Sequence, residues 1–136
     1  MIVMSVDLGH VRTGLAISDR GGFLASSLCV IEERNDARLV EKIAAKAAEN
    51  GAELIVVGLP KNMDGSEGES AQRARKIAGE LSELSGLPCE MQDERGTTLT
   101  AHAYLSAGEV YGKKRKQKVD AVAASIILQD YLDSRR

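Results

Sequence analysis

Met1-Ile2-Val3-Met4-Ser5-Val6-Asp7-Leu8 is an apolar run that ends in an acid, and after a short turn Gly14-Leu15-Ala16-Ile17-Ser18-Asp19 repeats the pattern. Both stretches read as strands. Arg20-Gly21-Gly22 supplies the tolerance for positive φ that a tight turn wants, and Phe23 to Ile31 reads as a third strand. Three short strands with short connections predict an antiparallel meander.

Beyond it the apolar period changes from two to that of a helix. Asn35 or Asp36 can cap a helix whose apolar positions are Leu39, Val40, Ile43, Ala44 and Ala47, with Gly51 closing it. Leu54-Ile55-Val56-Val57 is an unbroken apolar run, as expected of a strand covered on both faces. A polar loop from Gly58 to Gly68 leads to a second helix, about Ser70 to Ser85, with Ala71, Ala74, Ile77, Ala78 and Leu81 on its inner stripe. Gly86 and Pro88 punctuate its end. Leu87 to Gln92 reads as a last strand, Thr97 to Ser106 as a helix, Gly108 to Lys118 as a basic loop, and Val119 to Leu132 as a final helix. Strands separated by helices pair in parallel through right-handed crossovers. The expected fold is therefore α/β, a mixed five-stranded sheet of a three-strand meander plus two parallel strands, with helices on its faces. Residues 1–136 carry no repeat, low-complexity stretch or linker, so one domain is expected.

Composition narrows the function. The chain has 18 basic and 20 acidic residues, a net charge of -2 that argues for no polyanionic partner on its own, so any such case rests on local clustering. Phe23, Tyr104, Tyr111 and Tyr131 are the aromatic residues, 3% of the chain with no Trp, which disfavours a module that stacks bases on an aromatic platform. No apolar run approaches the roughly 20 residues of a membrane span, and the N-terminal run has neither basic flank nor cleavage site, so no membrane partner and no targeting peptide are expected. Cys29 and Cys89 form no CxxC pair and suit small buried hydrophobes in a reducing cytoplasm.

The chemistry-bearing feature is a set of acids. Ligands of such sheets bind beyond the carboxyl ends of the parallel strands. Asp7 ends the first strand, and Asp93 and Glu94 end the last. Asp120 has Ala123, Ala124 and Ile127 at three, four and seven residues on, so it stands on an apolar stripe. Each acid alone has a plainer role: an Asx turn at Asp7, a solvated strand end paired with Arg95 at Asp93 and Glu94, or a helix N-terminal acid at Asp120. Together on one rim, carboxylates without a counter-charge repel. A divalent cation removes the conflict, and oxygen ligands without Cys or His favour Mg²⁺ or Mn²⁺. Such a site suits phosphodiester hydrolysis.

Gly9-His10-Val11-Arg12-Thr13-Gly14 lacks the Gly-Lys-Ser/Thr of a Walker loop. Arg12 either contacts a phosphate or pairs with Asp19; standing beside Asp7 favours the phosphate. The dense basic run Lys113-Lys114-Arg115-Lys116, with Lys118, precedes Asp120 and suits contacts to a nucleic-acid backbone.

The chain resembles the YqgF/RuvX family of ribonuclease H-like proteins, associated with Holliday junction resolution and pre-16S rRNA processing. Val6-Asp7-Leu8-Gly9 with Arg12-Thr13-Gly14-Leu15-Ala16-Ile17-Ser18-Asp19, then Val57-Gly58-Leu59-Pro60-Lys61-Asn62-Met63-Asp64-Gly65, Asp93-Glu94-Arg95-Gly96-Thr97-Thr98 and Val119-Asp120-Ala121-Val122-Ala123-Ala124 carry the resemblance, in the family's order. Gly96 departs from the larger apolar residue of that pattern. The resemblance implies an RNase H-like fold and a metal-dependent nuclease of structured RNA or branched DNA in the cytoplasm. Its catalytic and metal-binding acids would be Asp7, Glu94 and Asp120. Spacing alone leaves Asp93 and Glu94 open; the resemblance favours Glu94. Cutting a four-way junction would call for a homodimer, because two symmetry-related strands are cut together. Two other readings stay in view: a nucleic-acid-binding factor that does not cut, and an actin/Hsp70-like nucleotide-binding domain, which this length disfavours because those proteins close two such domains around a nucleotide.

Overall fold

A computed structural model of the chain describes residues 1–62, 64–93 and 112–135, with side chains in the last stretch described from residue 122. Five strands, β1 (Val3–Asp7), β2 (Arg12–Ser18), β3 (Ala25–Glu32), β4 (Leu54–Leu59) and β5 (Cys89–Asp93), form one sheet of order β3-β2-β1-β4-β5. β1 pairs antiparallel with β2, β2 antiparallel with β3, and β1–β4 and β4–β5 are parallel. This is the mixed sheet expected from the sequence, with strand ends moved by at most two residues. In the β2–β3 ladder Leu15 pairs with Cys29 and Ala16 with Ser27, so Leu28 bulges out of register.

Helices α1 (Asp36–Glu49) and α2 (Glu69–Ser85) cover one face, and α3 (Gly112–Ser134) covers the other. α1 starts where Asn35 accepts a hydrogen bond from Arg38 N–H at 3.0 Å. It ends in a Schellman turn: Gly51 takes φ +67, its N–H bonds Ala48 C=O, and Ala52 N–H bonds Ala47 C=O. α2 ends at Gly86, φ +74. Their stripes, Leu39, Val40, Ile43, Ala71, Ala74, Ile77 and Leu81, pack on Met4, Val6, Leu15, Ile55 and Val57.

The alternate residues face α3. Val3, Ala16, Leu54 and Val56 meet Ala124, Ile127, Leu128, Tyr131 and Leu132. Each such Ile or Leu, fully buried, contributes about 2 kcal/mol. Strand parity thus divides the sheet cleanly between two cores.

One expected element is corrected. Residues 112–118, expected from the sequence to belong to a basic loop, are the first two turns of α3, which starts seven residues earlier than expected. Lys, Arg and Gln are straight-chain helix formers, so a charge-dense run extends a helix as readily as it forms a loop. The helix expected at 97–106 lies outside the described residues. Among the described residues no helix is long and apolar enough to cross a membrane.

Candidate active site at the rim of the sheet

The end of the sheet where β1, β4 and β5 finish carries the acids that can be placed. Asp7 is the last residue of β1 and is half-buried. Val6 pairs with Val57 and Gly58 with Gln92, so Asp7, Gly58 and Gln92 lie at one level. Parity gives Asp7 a face. Met4 and Val6 belong to the α1–α2 core, whereas Val3 and Ser5 turn to α3, and Asp7 follows Ser5.

Asp93 follows the other parity. Cys89 and Met91 pack against the α1–α2 core, and Glu90 receives the Tyr131 hydroxyl of α3 at 2.5 Å. Asp93 therefore sits on the α1–α2 side of β5, exposed, on the face opposite Asp7. Glu94 lies outside the described residues.

Ser5 connects β1 to α3. Its buried hydroxyl donates to the Ala124 carbonyl at 2.6 Å, a close approach permitted by the small side chains Ala123, Ala124 and Ser125. From that contact α3 runs toward the β2–β3 turn: Gln129 accepts from Ala25 N–H at 2.9 Å and donates to Phe23 C=O at 2.9 Å. The helix is therefore antiparallel to β1. Stepping from Ala124 back to position 120 moves about 6 Å along the axis, and from Ser5 on to Asp7 about 7 Å along the strand, both toward the same rim. The Asp120 side chain lies outside the described residues. Its helix position is nonetheless informative, because α3 begins at Gly112 and position 120 is in the third turn. A helix-end role for that acid, which fades within the first turn, does not apply.

Arg12 opens β2. Gly14 pairs with Asp7, so Arg12, two residues earlier, shares the face of Asp7 diagonally across the ladder. It stands opposite Glu32. Pairing of Arg12 with Asp19 is ruled out, since Asp19 sits at the other end of β2. There it accepts from Phe23 N–H at 2.7 Å and Leu24 N–H at 3.3 Å, contacts that hold its carboxyl below the usual range. The backbone of Lys113, Lys114, Arg115 and Lys116 forms the start of α3, about 12–17 Å before Ala124, beyond the rim. Their side chains are outside the described residues.

The chemistry of the donors suits a hard cation. Cys29 and Cys89 pack on the α1–α2 side, away from Asp7, and burial pushes the Cys89 thiol up to about 11. Among the described residues no three of His, Cys, Asp and Glu gather as a metal site. Two of the three expected ligand side chains lie beyond those residues. A hollow of about 620 Å³, walled mostly by apolar side chains such as Val3, Leu54 and Leu132 but also by Glu90 and Arg135, is at the opposite end of the sheet.

A group that the sequence did not reveal braces the turn after Asp7. Arg73 of α2 donates through Nη1 to the Gly9 carbonyl at 2.9 Å, and through Nε and Nη2 to Asp36 at 3.2 and 2.8 Å. Hydrogen bonding from Arg73 first, and its charge besides, holds the Asp36 carboxyl below the usual range. No motif marks this pair; 37 residues separate its members.

The family model described as RuvX, Holliday junction resolvase, matches residues 1–134. The chain belongs to the RuvX family. RuvX relatives agree along the whole length: a protein of Pelotomaculum thermopropionicum is 43% identical over 99% of this chain and 88% of its own. One of Geobacillus thermodenitrificans is 40% identical over the full length of both. Both carry the name "Putative pre-16S rRNA nuclease". The fold is also that of Thermus thermophilus RuvC in complex with a Holliday junction, with TM-score 0.62 at 15% identity over 99% of this chain and 95% of that one. Membership in RuvX makes this a protein of a nuclease family, typically metal-dependent, related to pre-16S rRNA processing and Holliday junction resolution.

Proposed function

We propose that this RuvX protein is a Mg²⁺- or Mn²⁺-dependent nuclease of structured nucleic acid, with Asp7, Glu94 and Asp120 as its catalytic acids. The carrying observation is the Ser5–Ala124 hydrogen bond, which sets the register between the strand that ends in Asp7 and the helix that contains position 120. The parity of β5 puts Asp93 on the face opposite Asp7, which supports the reading, taken from the family resemblance, of Glu94 as the acid of that strand end.

Asp7, Glu94 and Asp120 would hold the cation, which when bound supplies Lewis-acid charge and a water acidic enough to attack phosphorus. The residues around them have separate work. Arg12, on the same face, neutralises a phosphate next to the scissile one. Lys113, Lys114, Arg115 and Lys116 hold the backbone farther out and give affinity that falls with salt, without reading sequence.

The name carried by the relatives favours pre-16S rRNA as substrate, and we read the reaction as processing of its 5′ end, a role in ribosome biogenesis in the cytoplasm. Branched DNA is the second reading, from the family description, and it would require a homodimer. Purified protein tested side by side on a precursor rRNA fragment and a four-way junction decides between them. We expect Mn²⁺-dependent cleavage of the RNA, lost in EDTA and in Asp7→Asn. Cleavage of the junction alone transfers the protein to recombination. Tight binding without cleavage under any metal would leave a binding factor that does not cut.

A further inference from the structure

We infer that Arg73 is a positioning residue of the nuclease site, a clamp that fixes the β1–β2 turn so that Asp7 and Arg12 are held in place from behind the sheet. The inference rests on the reading of Asp7 as catalytic.

The geometry divides one guanidinium between two tasks. Nε and Nη2 grip the Asp36 carboxylate, with bonds of 3.2 Å to each oxygen from Nε and 2.8 Å to Oδ1 from Nη2. Nη1 is left to hold the Gly9 carbonyl at 2.9 Å. Such a planar fork is a property of Arg that the single ammonium of Lys does not reproduce. Asp36 is itself fixed in the first turn of α1, where a negative charge is favoured. Three elements far apart in sequence thus converge on one plate, whose Arg is four-fifths covered.

The turn it grips has no slack. A Cβ on Gly9 would lie 2.0 Å from the Arg12 carbonyl oxygen, so residues 9 and 12 are already in tight backbone contact. A restraint on Gly9 C=O is passed to Asp7 two residues before it and to Arg12 three residues after it. Arg73 comes from the α1–α2 layer, and Asp7 faces the α3 layer. The guanidinium therefore supports the turn without meeting the substrate. Displacing a reacting group by about 1 Å can cost about 100-fold in rate, which is the scale on which such a clamp acts.

The experiment compares wild type with Arg73→Gln, Arg73→Lys, Asp36→Asn and, as a control, Arg75→Gln. Arg75 lies on the same helix and forms an equally short pair with Glu67 at 2.8 Å, without reaching Gly9. In Arg73→Gln we expect kcat for Mn²⁺-dependent cleavage to fall about 100-fold with KM within about twofold, while Arg75→Gln keeps wild-type kcat. Arg73→Lys should not recover the loss, and Asp36→Asn, which slackens the plate but leaves Nη1 on Gly9, should give a smaller one. Without metal or substrate, amide exchange at His10, Val11 and Arg12 should quicken about tenfold in Arg73→Gln and stay unchanged in Arg75→Gln. Wild-type kcat in Arg73→Gln, equal losses in Arg73→Gln and Arg75→Gln, or unchanged exchange at the turn would overturn the inference. If Arg73→Gln fails to fold, Asp36→Asn carries the same two readouts, and wild-type values in both overturn it. Failure of the nuclease reading is separable: wild type would not cleave, or Asp7→Asn would cleave normally, whatever the exchange data show.

Discussion

At the scale of single residues, two positions are governed by what stands next to them. Gly9 is required by close approach, because any Cβ there would overlap the Arg12 carbonyl. Gly9→Ala should destabilise the protein by about 3 kcal/mol, at the upper end of overpacking costs, as read by urea unfolding. A stability equal to wild type would mean that the turn relaxes freely. Tyr131 has a different constraint. Burial first, then its bond to Glu90, pushes the phenol up to about 12 from its ordinary 10.0. The unfolded chain gives up that proton near 10, so the stabilisation is whole below pH 10 and is lost as pH rises toward 12. The stability gap between wild type and Tyr131→Phe should accordingly narrow over that window. A gap independent of pH from 9 to 12 would refute the shift.

At the scale of elements, α3 links the fold to the function. Replacing Lys113, Lys114, Arg115 and Lys116 by Gln should leave the melting temperature near wild type and weaken nucleic-acid binding. The slope of log affinity against log salt should drop by about 0.7–0.9 for each phosphate that is no longer neutralised. An unchanged slope would mean that this stretch touches no backbone. The same helix marks the limit of what the sequence reveals. β1, β4, α1 and α2 are legible because their apolar periods are clean and their ends carry Asn35, Gly51 and Gly86. The first two turns of α3 carry no apolar period, so their charge reads as loop. The choice between Asp93 and Glu94 is equally hidden. The face of Asp93 is set by packing of Cys89 and Met91 against α1–α2, which no spacing in the sequence reveals. Arg73 and Asp36 cannot be paired from sequence, because an ion pair across two helices leaves no spacing rule behind.

At the scale of the whole molecule, the sheet separates two ends with different characters. The rim at Asp7 is polar and braced by Arg73, with the backbone of α3 reaching toward it. The far end is a hollow walled mostly by apolar side chains, with the bonded pair Tyr131 and Glu90 in its lining. Strand order alone accounts for that polarity, since β1, β4 and β5 are parallel and deliver their carboxyl ends to one side. The nuclease reading depends on three carboxylates from distant parts of the chain sharing cations at that side. Electron paramagnetic resonance of Mn²⁺ titrated into wild type, Asp7→Asn, Glu94→Gln and Asp120→Asn measures it most directly. We expect wild type to bind Mn²⁺ and each single substitution to weaken that binding at least tenfold, about 1.4 kcal/mol, with Asp93→Asn indistinguishable from wild type. Wild-type Mn²⁺ affinity in Asp7→Asn would contradict it.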